Sequence, residues 1–163
     1  MTKPRLAITL GDPRGIGPEI VAAAIADSRV RARAELVVVG PSGTVVPANE
    51  EIGAWADGGS EQHGGRLAGL AIERATKLAL AGEVQGIVTA PIDKHALFAG
   101  GYDFPGHTEM LAQLTGSHVA MMLASDRLRV VLVTTHIALA NVPRELTRER
   151  IIECASITRR GLQ

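Results

Sequence analysis

The chain has 163 residues, about one domain's worth, and is long enough to bury a real core. Its 17 Lys and Arg balance 17 Asp and Glu, which argues against a nucleic-acid or anionic-membrane partner and favours a small neutral or anionic metabolite. The single cysteine, Cys154, excludes an internal disulfide and reads as an ordinary helix residue; no stretch reaches transmembrane length, and the apolar run after Met1-Thr2-Lys3-Pro4 is too short for a signal peptide, so a cytoplasmic protein is predicted.

Arg5 to Leu10 predicts a first strand, Gly11 to Gly17 a glycine loop, and Pro18 with Glu19 the start of an Ala-rich helix to about Ala26. Glu35 to Val39, stopped by Gly40-Pro41, predicts a second strand and hence a βαβ unit with a right-handed crossover. Residues 41–65 are rich in Gly, Pro, Ser and Asn, with Trp55 as their only large anchor, and predict a loop or a degraded segment. The spacing Leu67, Leu70, Ala71, Ala75, Leu78 predicts a helix from Gly65 that closes at Gly82. Gly86 to Ala90 predicts a buried strand stopped by Pro91, and Asp93 to Leu97 a short helix.

Pro105 to Glu109 leads into the helical pattern Met110, Leu111, Leu114, with Thr108 as the expected N-cap. Val119 to Ala124 and Leu128 to Thr134, joined by Ser125-Asp126-Arg127, predict an antiparallel hairpin and therefore a mixed sheet. Within it the run Val130 to Val133 reads as a strand buried on both faces. Leu146 to Arg160 predicts a closing helix, with Thr147 near its start and Arg159 and Arg160 at its end.

Three places carry chemistry. His136 follows the Val-rich strand, where open α/β sheets place ligands, and His107 with Thr108 stands at a helix start, where backbone donors favour a carboxylate or phosphate. The two clusters, about thirty residues apart, suggest one pocket. Lys94, just past a strand end, could meet a phosphate as a point charge. The loop Gly11 to Gly17 matches neither GxGxxG nor the P-loop and stands between a packing turn and an anion site. His63, His95 and His118 lack partners at ligand spacing and read as ordinary.

Five ordered motifs, GDPRGIGPEI (11–20), TAPIDKHAL (89–97), GYDFPGHTEML (101–111), MMLAS (121–125) and VVLVTTHIAL (130–139), closely resemble the 4-hydroxythreonine-4-phosphate dehydrogenase family. The resemblance covers nearly the whole chain except residues 41–64, a segment shorter than is usual there. It implies an α/β fold of three layers, α/β/α, with a mixed, mostly parallel sheet, like isocitrate and isopropylmalate dehydrogenases but truncated. Residues 1–104 would be a first-domain portion and residues 105–163 the start of the metal-site and dimer-forming portion, the second half being absent.

The resemblance also implies an activity: oxidation of 4-phosphooxy-L-threonine with NAD or NADP to a 3-oxo acid, which decarboxylates to 3-amino-2-oxopropyl phosphate in pyridoxine 5′-phosphate biosynthesis. His107 and Thr108 would bind substrate. His136 would be one of three histidines holding a divalent cation, zinc, magnesium or cobalt, in a cleft shared by the subunits of a homodimer. Two other readings stand beside it. One is a dehydrogenase for another substrate, such as threonate or erythronate phosphate or a cyclic dihydrodiol carboxylate; the other is a non-catalytic anion-binding or assembly module.

Overall fold

The computed structural model describes residues 2–162, which form two compact units divided between Thr115 and Gly116. The first holds β1 (Arg5–Thr9), α1 (Gly17–Ala26), α2 (Ser28–Arg33), β2 (Glu35–Ser42), β3 (Glu50–Ala54), α3 (Glu61–Leu80), β4 (Gly86–Thr89), α4 (Lys94–Ala99) and α5 (His107–Thr115). The second holds β5 (Met121–Ala124), β6 (Arg129–Leu132), α6 (Val142–Glu145) and α7 (Arg148–Gly161). Among the described residues no helix is long and apolar enough to cross a membrane.

The first unit is built on a four-stranded sheet of order β3-β2-β1-β4, and every pairing in it is parallel. Strand alternation divides the core into two faces. Ala7, Val37 and Val39 pack with Ala71, Ala75 and Leu78 of α3, while Ile8, Leu10 and Val38 pack with Val21 of α1 and with Val46 and Ala90. Helices on both faces of a parallel sheet are what its doubly apolar strands require.

Several boundaries differ from expectation for identifiable reasons. β2 runs on through Gly40-Pro41, because its pairing with β3 shifts register between Gly40 and Ser42 and so absorbs a proline that lacks an N–H. Its partner β3 lies inside the segment expected to be a loop; it is an edge strand of sequence Glu-Glu-Ile-Gly-Ala, of which only Ile52 packs on the core. α1 ends at Ala26, where extended Asp27 accepts from the Arg29 amide at 2.8 Å and starts the unexpected α2.

α3 begins four residues before the expected Gly65, at Glu61, because Ser60 caps it by accepting from the His63 amide at 3.2 Å. Its glycines look like loop residues but are contact points. A Cβ on Gly65 would lie 1.7 Å from the Ala96 carbonyl oxygen of α4, and one on Gly69 would lie 2.1 Å from the Tyr102 ring.

In the second unit β5 and β6 form the expected antiparallel hairpin, but as a two-stranded sheet of its own. Strands of both directions are therefore present without meeting in one mixed sheet. Val130 is 40% exposed, against the burial on both faces that its apolar run predicts. A two-stranded ribbon has no neighbouring strands, and α7 supplies its cover, with the Cys154 thiol at 3.7 Å from the Leu132 carbonyl oxygen. α7 begins two residues after the expected Leu146 and ends one residue past Arg160, because Thr147 stands outside it as the cap and accepts from the Arg150 amide at 3.3 Å.

Candidate functional site

The strand order places β1 between β2 and β4, so the chain leaves β1 to one side, builds β2 and β3, and returns to the other side as β4. Ligands of open α/β sheets bind in the crevice opened by such a reversal, outside the carboxyl ends of the two strands. Here that crevice is framed by the loops after β1 and β4. Asp12, Arg14, Gly15, Ile16, Pro91, Ile92 and Asp93 line an open cleft of about 490 Å³.

The two loops are tied backbone to backbone, since the Asp12 amide donates to the Pro91 carbonyl at 3.1 Å. Gly11 permits this approach: its φ is +69°, and a Cβ there would stand 2.2 Å from the Pro91 oxygen. The loop Gly11 to Gly17 thus acts as a close-packing turn, one of its two expected roles. Above it sits a charged cluster that sequence reasoning passed over. Arg14 grips Asp12 with a fork, Nε to Oδ1 at 3.2 Å and Nη2 to Oδ2 at 2.8 Å, and Nη2 also lies 3.7 Å from Asp93 Oδ2.

Asp12 is buried and Asp93 is open, so the cluster runs from the core to the surface. The hydrogen bond to Asp12 is the main reason the Arg14 guanidinium is held above its ordinary value. The amides of Ala96 and His95, which donate to Asp93, hold that carboxyl below its ordinary range, and Arg14 adds to the effect. Asp93 is the N-cap of α4, and the exposed Lys94 is the helix's first residue. The signal available in the sequence was an Asp-Pro-Arg-Gly turn at a strand end facing an Asp at another strand end.

His107 and Thr108 lie in the first turn of α5, which is anchored by the fully buried Met110. The helix begins at His107, so Thr108 is inside it rather than its N-cap. His107 is half-buried, and its Nε2 atom is buried with no hydrogen-bonding partner among the described residues. An orphaned buried imidazole nitrogen in a native fold calls for an explanation such as a ligand. Burial lowers the imidazole pKa below its ordinary 6.5, so the ring is neutral at neutral pH and meets a partner as a hydrogen-bonding group rather than a cation.

His136 belongs to the second unit. It is exposed, and it holds a left-handed backbone with φ 57°, alone among the described non-glycine residues. Such a conformation costs about 1–2 kcal/mol and is concentrated at functional positions. Among the described residues no group of three or more His, Cys, Asp or Glu is placed to hold a metal. His136 therefore offers one donor of a kind that suits a divalent cation, and these residues do not complete a coordination shell.

The other histidines have structural partners. His63 Nε2 lies 2.9 Å from the Ala54 carbonyl oxygen and its ring stacks on Trp55, while His118 pairs with Glu153 at 2.6 Å. His95 contributes its amide to the Asp93 cap.

Residues 19–163 match the family model described as pyridoxal phosphate biosynthetic protein PdxA. The chain is 41% identical to the 4-hydroxythreonine-4-phosphate dehydrogenase of Geobacter metallireducens, over 99% of this chain and 57% of that protein. It is 38% identical to the D-threonate 4-phosphate dehydrogenase of Pectobacterium atrosepticum, over 93% of this chain and 58% of that protein. The solved structure of 4-hydroxythreonine-4-phosphate dehydrogenase from Klebsiella pneumoniae superposes with a TM-score of 0.83 at 32% identity, covering 99% of this chain and 59% of that one.

The chain thus spans little more than half the length of the relatives it matches. The Geobacter alignment runs over 194 positions against the 163 residues of this chain, so that relative carries segments this chain lacks. The fold is the isocitrate and isopropylmalate dehydrogenase-like one that the motifs led us to expect.

Proposed function

This chain belongs to the family of the pyridoxal phosphate biosynthetic protein PdxA, and on that premise we propose that it supplies part of the active site of a dehydrogenase acting on a phosphorylated hydroxy acid. The substrate proposed is 4-phosphooxy-L-threonine, oxidised with NAD or NADP to a 3-oxo acid that decarboxylates to 3-amino-2-oxopropyl phosphate. The observation that carries the reading is the buried His107 Nε2 in the first turn of α5, without a hydrogen-bonding partner among the described residues, in a chain whose relatives are named for phosphorylated hydroxy-acid substrates.

In this reading His107 and Thr108 hydrogen-bond the substrate, and a neutral ring at position 107 recognises it by direction rather than by charge. Lys94 supplies the positive charge that offsets the phosphate. His136 is one of three histidine ligands to a divalent cation, zinc, cobalt or magnesium, in a cytoplasmic homodimer. When bound, that cation would acidify the substrate hydroxyl so that the carbon-bound hydride can leave to the nicotinamide.

A second substrate, D-threonate 4-phosphate, is favoured by a relative of nearly equal identity, 38% against 41%. The two differ at the carbon beside the carboxylate, where one bears an amino group and the other a hydroxyl. The test is formation of reduced nicotinamide by the protein that carries this chain, with each substrate and a divalent cation. We expect a higher kcat/KM for 4-phosphooxy-L-threonine; a higher value for D-threonate 4-phosphate would select the second reading, and turnover of neither would refute both.

A further inference from the structure

The proposed function assigns no role to Arg14, yet this side chain joins the two loops that frame the strand-order reversal. It grips the buried Asp12 of the loop after β1 and reaches Asp93 of the loop after β4. The first turn of α3 closes over the pair, since a Cβ on Gly64 would stand 3.0 Å from Asp12 Oδ1 and 3.1 Å from Arg14 Nε. Asp93 divides its two oxygens: Oδ1 accepts from the amides of His95 and Ala96, and Oδ2 faces the guanidinium.

We propose that Arg14 is a positioning residue, which by bridging Asp12 and Asp93 fixes the start of α4 and with it the place from which Lys94 meets an anionic ligand. The inference rests on the reading of Lys94 as a substrate-phosphate group, and it adds how that lysine is held. Lys94 follows Asp93 directly, so the direction of its stem is set by the backbone that the Asp93 cap defines. A guanidinium suits the task because its planar fork can engage one carboxylate with two donors while a donor still faces a second carboxylate. A lysine could supply the charge but not the fork.

The local charges allow a decisive test. Asp93 is an anion beside the residue proposed to hold phosphate, so a purely electrostatic role predicts that Asp93→Asn tightens phosphate binding. Positioning predicts the opposite. Asparagine keeps the helix cap but gives up the ion pair with Arg14, so Lys94 loses its fixed place and binding weakens.

The experiment measures amide hydrogen exchange and an inorganic phosphate titration read at the Lys94 side-chain resonance, on the 163-residue chain and on Arg14→Ala, Arg14→Lys and Asp93→Asn. Expected in Arg14→Ala and Asp93→Asn are faster exchange at the Asp12 amide and a phosphate affinity lowered by about threefold, the scale of a half-exposed ion pair. Arg14→Lys should recover part of both. Arg14→Ala leaves the buried Asp12 without its guanidinium and can unfold the chain, so Asp93→Asn carries the test independently.

Tighter phosphate binding in Asp93→Asn, or unchanged exchange in both variants, would overturn the proposal. A Lys94 resonance in the unmodified chain that ignores phosphate would defeat the reading of Lys94 and the functional half of this inference together. In that case the exchange data still decide whether Arg14 clasps the loops.

Discussion

Replacing Gly65 with alanine is expected to lower the unfolding free energy by about 3 kcal/mol, even though alanine is the better helix former by about 1 kcal/mol. The opposing terms are unequal for a geometric reason. The new Cβ would lie 1.7 Å from the Ala96 carbonyl oxygen and 2.7 Å from the Leu97 amide nitrogen, backbone atoms of α4 that no rotamer change can move. Gly100 makes the reciprocal approach, its Cβ position standing 2.3 Å from the Arg66 amide nitrogen. The helices α3 and α4 therefore meet backbone to backbone, and the contact has no room for a methyl group. Gly161→Ala in α7 is the control: among the described residues nothing lies within 4 Å of its Cβ position, and its stability should stay level or rise slightly. Urea unfolding of both variants measures the difference, and equal midpoints would show that α3 and α4 do not pack this closely.

His136→Asn in the protein that carries this chain is expected to lower divalent-metal affinity and kcat/KM by at least about 100-fold. Asparagine is the informative substitute because it tolerates the left-handed backbone that His136 adopts at φ 57°, so lost ligation is not confused with new strain. In the proposed function the change would remove one imidazole from a three-histidine site, and a cation held by the remaining two would be bound far more weakly. Metal content after dialysis and turnover should fall together. Unchanged metal content would place the cation elsewhere and leave the strained backbone of His136 without a functional account.

The sequence announced some of this architecture in strong local signals. Glu35 to Val39 read as a strand because a β-branched run is stopped by Gly40-Pro41, and Pro18 behind a glycine turn read as a helix start. β3 was hidden because an edge strand buries little, and Glu50-Glu51-Ile52 shows no alternation. The start of α3 was hidden because Gly64 and Gly65 look like loop residues when their partners, Asp12, Arg14 and Ala96, are not known to be near. Lys94, His107, Thr108 and His136 were singled out by position at strand and helix ends, a rule of the fold. The Asp12, Arg14 and Asp93 cluster was not, because it is assembled across the sheet from loops about eighty residues apart, and nothing local in either loop records the pairing.

The proposed function has the first turn of α5 hold substrate and His136, four residues past the end of β6, hold metal. A crystal structure of the protein that carries this chain, with 4-phosphooxy-L-threonine and zinc bound, measures this most directly. Expected there are a substrate oxygen within hydrogen-bond distance of the His107 ring and the Thr108 hydroxyl, and zinc coordinated by the His136 imidazole. Substrate bound away from α5, or zinc held without His136, would contradict it.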